Sequence, residues 1–160
     1  MVIIGIDPGL HVTGYGVLAV NGGDTEVIEA GVIRTEERVG FEEKLQEIFA
    51  ETGKIIEQFR PDYLAIEELY SHYVHPRTAI IMGHARGIVF LQAAMHHIPI
   101  VSYASTRVKK SLTGNGRATK NQVKKMIRST LHLKEELVSP DTADALAVAL
   151  CHHNALMVPA

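Results

Sequence analysis

VIIGIDPGLHVTGYGV, Val2 to Val17, ends an apolar run on one carboxylate, Asp7, turns through Pro8-Gly9, and resumes as a second apolar run. Val2, Ile4 and Ile6 fall on one face of an extended chain, Ile3 and Gly5 on the other. Both faces read as covered, so the strand reads as central in a sheet. Asp7 then stands at the carboxyl end of a buried strand. A charge there needs a partner, because a buried unpaired carboxylate costs several kcal/mol or takes up a proton.

Working outward, Gly14–Val20 and Val27–Arg34 read as two further strands, joined through the turn signal NGGD at 21–24. Phe41, Leu45, Ile48, Thr52, Ile55, Ile56 and Phe59 repeat at helical spacing, with glutamates on the opposite side. RPDYLAIEE then repeats the opening pattern: Pro61 stops the helix, and a short apolar strand, Tyr63 to Ile66, ends on Glu67 and Glu68. Thr78–His97 reads as a long, unusually apolar helix, and Pro99–Tyr103 as another strand. After TRVKK and the loop GNG at 114–116 comes a basic helix, with Val123, Met126, Ile127 and Leu131 inward and Lys120, Lys124, Lys125 and Arg128 outward. A last helix is predicted from Ser139 as N-cap and Pro140 at the first helical position. Three leading strands followed by alternating helices and strands give a mixed, mostly parallel α/β sheet.

The 160 residues suit one domain, 1–160, able to bury a core without disulfides; the single cysteine, Cys151, lies in an apolar helical pattern. No basic leader precedes the first apolar run, and no uninterrupted apolar stretch approaches about 18 residues. A soluble cytoplasmic protein is expected, with no membrane partner. The net charge of −2 conceals a segregation: residues 1–68 carry 14 acids and 5 bases, residues 69–134 carry 11 bases and no acid, and residues 135–160 carry 4 acids and no base. An acid-free basic segment of that length suggests a polyanionic partner such as nucleic acid. The alternative is that folding intersperses those bases with acids from elsewhere in the chain.

If the two acid-terminated strands run parallel, Asp7 and Glu67 emerge at one carboxyl edge, where open α/β sheets build their sites. Asp141 and Asp144, three apart on one helix, share a face near its N-terminus. Four acids from three segments could converge, and such a crowd calls for hard cations, Mg²⁺ or Mn²⁺. Two such ions about 3.5–4 Å apart are the usual machinery of phosphodiester hydrolysis. Each acid also has a plainer reading: Asp141 as a helix-dipole acid, Asp144 as solvent-facing, Glu68 as a strand-end charge.

GIDPGLHVTGYGV, PDYLAIEELY, ARG at 85–87, SYASTRVKKSLTGNGRATKNQV and DTADALAVAL resemble, in this order and across nearly the whole chain, the RuvC family of bacterial Holliday-junction resolvases. The resemblance implies an RNase H-like fold with a mixed five-stranded sheet flanked by helices, and a homodimer. It also implies Mg²⁺-dependent nicking of two opposed strands of a four-way DNA junction, and cooperation with the RuvA and RuvB branch-migration proteins. The family's four metal-binding acids fall on Asp7, Glu67, Asp141 and Asp144. Lys109 and Lys120 resemble family lysines near the scissile phosphate, and Tyr70 an aromatic that engages bases at the junction centre. Arg77, Lys110, Arg117, Lys124 and Lys125 complete the expected DNA-binding set, and Lys120 joins the four acids as catalytic. Tyr70 stands where phenylalanine is common, His84 where glutamine is frequent, and SHYVHPRTA departs from the usual loop; these differences bear on cleavage-sequence preference.

Three rivals are set against that reading. A sugar-kinase or actin-like ATPase shares the strand, acid and glycine turn but needs a second such domain. Another RNase H-like nuclease, or a catalytically dead DNA-binding module, would keep much of the same pattern. His72, His75 and the pairs His96-His97 and His152-His153 lack the thiolates of a zinc site, and structural roles are expected, with DNA contact the alternative for His72 and His75, whose loop follows the strand ending on Glu67. Symmetric cleavage needs two copies, and the Thr78–His97 helix, rich in Ile80, Ile81, Gly83, Ile88, Phe90, Leu91 and Met95, is the candidate interface, each residue alternatively being core.

Overall fold

The computed structural model describes residues 1–69, 76–133 and 139–157. Five strands, β1 (Val2–Asp7), β2 (Val12–Asn21), β3 (Asp24–Arg34), β4 (Tyr63–Glu67) and β5 (Ile100–Tyr103), form one sheet in the order β3-β2-β1-β4-β5. β1 is central, antiparallel to β2 and parallel to β4, and β4 is parallel to β5. This is the expected RNase H-like arrangement. β2 and β3 meet at Asn21↔Asp24, so Gly22-Gly23 makes the turn, and Gly22 supplies the positive φ of 64°. A bulge after Val17 leaves Ile28 without a partner, 44% exposed.

The alternation of β1 sorts the core as its sequence requires. Ile4 and Ile6 pack with Ile66, Val89 and Ile56 beneath the helices α1 (Phe41–Phe59) and α2 (Pro76–Met95). Ile3 joins Ala65, Leu146 and Leu150 on the other face, beneath α5 (Pro140–Met157). α5 lies almost on the backbone of the sheet. A Cβ added at Gly5 would stand 2.0 Å from the Ala145 carbonyl oxygen, and one at Gly14 would stand 2.1 Å from that of Asp141. These two glycines let the acid-bearing end of α5 touch β1 and β2.

α4 (Lys120–Thr130) opens on a capping box: the Thr119 side chain accepts from the Gln122 backbone, and the Gln122 side chain accepts from the Thr119 N–H. Between β5 and α4 runs a helix the sequence reading leaves unassigned, α3 (Ser105–Thr113), ended by Gly114 at φ 74°. Val108 and Leu112, four apart and buried, were its sequence signal. One inward assignment on α4 changes. Met126 is 39% exposed, because α4 buries only a narrow Val123–Ile127 stripe. Lys120 is exposed, as read, and its Nζ reaches Asp144. On α2, Ile80, Leu91 and Met95 face out while Ile81, Ile88 and Phe90 pack on the core.

By length and composition α2 could cross a membrane, with a mean hydropathy of 1.3. Its polar contacts tie it to the rest of the fold instead: Gln92 Nε2 donates to the Phe49 carbonyl of α1, and Arg86 reaches β4 and β5. At the far end of α5, His152 and His153 are core residues. His152 Nδ1 pairs with the Tyr103 hydroxyl at 2.8 Å, and its ring meets Tyr63 edge-on.

Candidate active site

Ile6 and Ile66 are register partners in parallel strands, so Asp7 and Glu67, each the next residue, leave the sheet side by side. Both point to the face that α5 covers, since Ile3, Gly5 and Asp7 alternate together, as do Ala65 and Glu67. Asp7 also pairs with Gly14 in β2, and Gly14 touches the backbone of Asp141. The local chain therefore brings the first turn of α5 over the end of β1. Ser139 caps that helix, its Oγ accepting from the Asp141 N–H at 3.2 Å and donating to Asp141 Oδ2 at 3.0 Å.

The electrostatics register the convergence. Asp7 is pushed up from 3.8 to about 7, first by burial, then by the charges of Asp144, Asp141 and Glu67, with Lys120 pulling the other way. Glu67 is raised as well, mainly by burial, while the Ser105 hydroxyl and the ammonium groups of Lys109 and Lys120 oppose the shift. Lys120 Nζ sits 3.3 Å from Asp144 Oδ2, and that carboxylate raises its pKa. Asp144 thus stands at the mouth of the site, its side chain 38% exposed.

A cleft of about 110 Å³ opens among Glu67, Ser105, Lys109, Lys120, Val123 and Asp144. Two of the expected lysines thus enter the acid site, from different helices. Lys110 lies one face round α3, lining a separate cleft with Arg107 and Asn154. Arg117 and Lys125 are exposed, Lys124 is half-buried along α4 beyond Lys120, and Arg77 is exposed at the start of α2. Tyr70, His72 and His75 lie outside the described residues. Among the described residues, Lys120–Asp144 is the one ion pair made by the basic segment. The other bases of the segment make no ion pair among the described residues, which supports the polyanion reading.

The donor set fits a hard divalent cation: four carboxylates, no thiolate, and one member, Asp7, whose pKa is raised to about 7 first by burial and then by its acidic neighbours, a charge that a cation would offset. They are not closed into a cage as they stand. Among the described residues no three Asp, Glu, His or Cys side chains share a ligating position, with Asp141 bonded to Ser139 and Asp144 to Lys120. Sequence reasoning missed Ser105, hidden by the unassigned helix, and Gly14, whose role depends on what packs over it. It also gave no role to Arg86, which donates to the main-chain carbonyl of Glu67.

The family model for Crossover junction endodeoxyribonuclease RuvC matches residues 3–152. The crossover junction endodeoxyribonuclease RuvC of Rhodopirellula baltica is 44% identical over 151 residues, covering 94% of this chain and 85% of that one. Among solved structures, T. thermophilus RuvC in complex with a Holliday junction substrate superposes with a TM-score of 0.92 at 34% identity, over 98% of this chain and 94% of that one. The yeast mitochondrial Holliday junction resolvase Ydc2 shares the fold, with a TM-score of 0.68 at 14% identity, over 95% of this chain and 77% of that one.

Proposed function

Because the chain belongs to the RuvC family of crossover junction endodeoxyribonucleases, we propose that it resolves four-way DNA junctions in recombination and repair by paired, metal-dependent phosphodiester hydrolysis. The observation that carries the reading is the acid cluster: Asp7 and Glu67 on adjacent parallel strand ends, under the Asp141–Asp144 turn of α5, with Lys120 drawn in. Asp7, Glu67, Asp141 and Asp144 would hold two Mg²⁺ ions, with Mn²⁺ an acceptable substitute. Bound there, the metal supplies water activation and charge stabilisation for in-line displacement at phosphorus. The protein's own groups do the rest. Lys109 and Lys120 flank the cleft and stabilise charge on the transferring phosphate. Burial of Asp7 and Glu67 keeps the carboxylates in a low-dielectric wall, where their charge acts strongly. Lys110, Lys124, Lys125, Arg77 and Arg117 carry backbone phosphates of the junction arms, and Tyr70 stacks on a base at its centre.

One domain of this kind, 1–160, holds acids for one site, so two nicks need two copies. The exposed stripe Ile80, Gly87, Leu91 and Met95 on α2 supports a two-fold dimer: the three side chains are 60%, 50% and 58% exposed, and a Cβ at Gly87 would meet nothing. Cytoplasmic location and cooperation with RuvA and RuvB complete the proposal. It is tested by nicking of a synthetic four-way junction beside a linear duplex of the same sequence, with Mg²⁺ and with chelator. Symmetric, Mg²⁺-dependent cuts in the junction alone are expected; equal cutting of the duplex would refute structure selectivity, and binding without cuts would favour the inactive module.

A further inference from the structure

Arg86 reaches from the middle of α2 to the carboxyl ends of two parallel strands. One terminal nitrogen, Nη1, donates to the main-chain carbonyl of Glu67 on β4. The other, Nη2, donates to Ser102 Oγ on β5 at 2.9 Å. The guanidinium also lies 4.6 Å from the centre of the Phe90 ring, one helical turn further along α2. It is half-buried, and among the described residues no carboxylate stands within ion-pair distance of it.

A half-buried guanidinium that makes no ion pair, with Glu68 acting on it only at longer range, is a poor source of stability; its use is the geometry it imposes. Its planar fork fixes two acceptors at once, which a flexible ammonium cannot do. Holding the Glu67 carbonyl pins the main chain of that residue at the strand end and, with it, the Cα–Cβ bond from which the carboxylate leaves. Arg86 does so from the α1–α2 side of the sheet, opposite the cleft, and so touches neither phosphate nor carboxylate. The same helix presents the exposed Ile80–Leu91–Met95 stripe.

We propose that Arg86 is a positioning residue, setting the Glu67 carboxylate through the main chain and joining the geometry of the acid site to the seating of α2. The inference rests on the reading of Glu67 as a divalent-cation ligand. Outer contacts that orient a ligand are typically worth about 10–100-fold in metal affinity, and a contact made through the backbone belongs at the lower end, about 10-fold.

Mn²⁺ titration of the full chain tests this, by calorimetry and by the Mn²⁺ midpoint of single-turnover junction nicking, for wild type, Glu67→Gln, Arg86→Met, Arg86→Lys and Ser102→Ala. Glu67→Gln should weaken Mn²⁺ binding most. Arg86→Met should move both midpoints by about 10-fold, with nicking recovered at high Mn²⁺; Arg86→Lys, keeping one donor, should fall between, and Ser102→Ala should lie nearest wild type. Simple loss of folded protein lowers the amplitude at every Mn²⁺ concentration without moving the midpoint. Unmoved midpoints in both Arg86 variants, with Glu67→Gln shifted, would overturn the role of Arg86. An unshifted Glu67→Gln would overturn the reading of Glu67 itself, and the inference with it.

Discussion

Asp7→Asn should make the metal-free protein more stable while abolishing cleavage. The Asp7 carboxyl rises from 3.8 to about 7 on folding, and at 1.36 kcal/mol per unit the charged form is destabilised in place by about 4 kcal/mol relative to a neutral isostere. Part of this relaxes as Asp141 and Asp144 turn aside, so a gain of about 2–4 kcal/mol is expected, or about 5–15 °C in Tm for a chain of this size. The sign depends on pH. A carboxyl whose folded pKa is raised stabilises the fold below pH 3.8, and loses that contribution as pH climbs to about 7. Wild type and variant should therefore melt together near pH 4 and separate progressively toward pH 8. Among the described residues the Asp7 side chain accepts no hydrogen bond that the change would break. The assay is calorimetric melting in chelator from pH 4 to 8, repeated with Mg²⁺, which should raise wild type and leave Asp7→Asn unmoved. Equal melting of the two proteins at pH 8, or a gap that does not widen with pH, would refute the claim that like-charge crowding and burial govern this site.

Lys120→Ala should cut single-turnover nicking by the roughly 2.7–4 kcal/mol typical of one lost donor at a developing charge, with junction affinity in Ca²⁺ little changed. Lys125→Ala, exposed on the next turn of α4, should instead weaken binding and lower its salt dependence by about one ion; matched salt titrations that fail to separate the two remove this division of labour. Leu91→Glu, at a position half exposed on α2, should give a folded monomer by sedimentation that has lost symmetric cleavage, and a persisting dimer would move the interface elsewhere. Burial holds His152 and His153 below the usual imidazole value, so their contribution is present above about pH 6.5 and lost as pH falls, because the unfolded chain takes up the protons first. Asp7 and Glu67, both raised, act in the opposite sense, so the effect is best read in Asp7→Asn/Glu67→Gln: its urea midpoint should drop from pH 7 to pH 5, and a flat profile would place the imidazoles in contact with water.

Local chemistry settled a great deal in the sequence alone. Alternation in Val2–Ile6 fixes which face each side chain takes and puts Asp7 and Glu67 each at a strand end, on one sheet edge provided the strands are parallel, as they are; three-residue spacing on a capped helix put Asp141 and Asp144 on one face. Their metal-binding pattern, and the roles of Lys109 and Lys120, came from the resemblance of five ordered motifs. Period and turn signals act over a few residues, which is why they stop short of α3, where only Val108 and Leu112 mark the buried stripe. Tertiary structure decided what crosses between segments. The approach of α5 to Gly5 and Gly14, the pairing of the exposed Lys120 with Asp144, and the division of α2 into a packed and an exposed face all depend on neighbours distant in the chain. The same is true of Arg86, whose acceptors lie 19 and 16 residues away on two strands: a side chain's partner is set by packing, and packing is a property of the assembled sheet and helices.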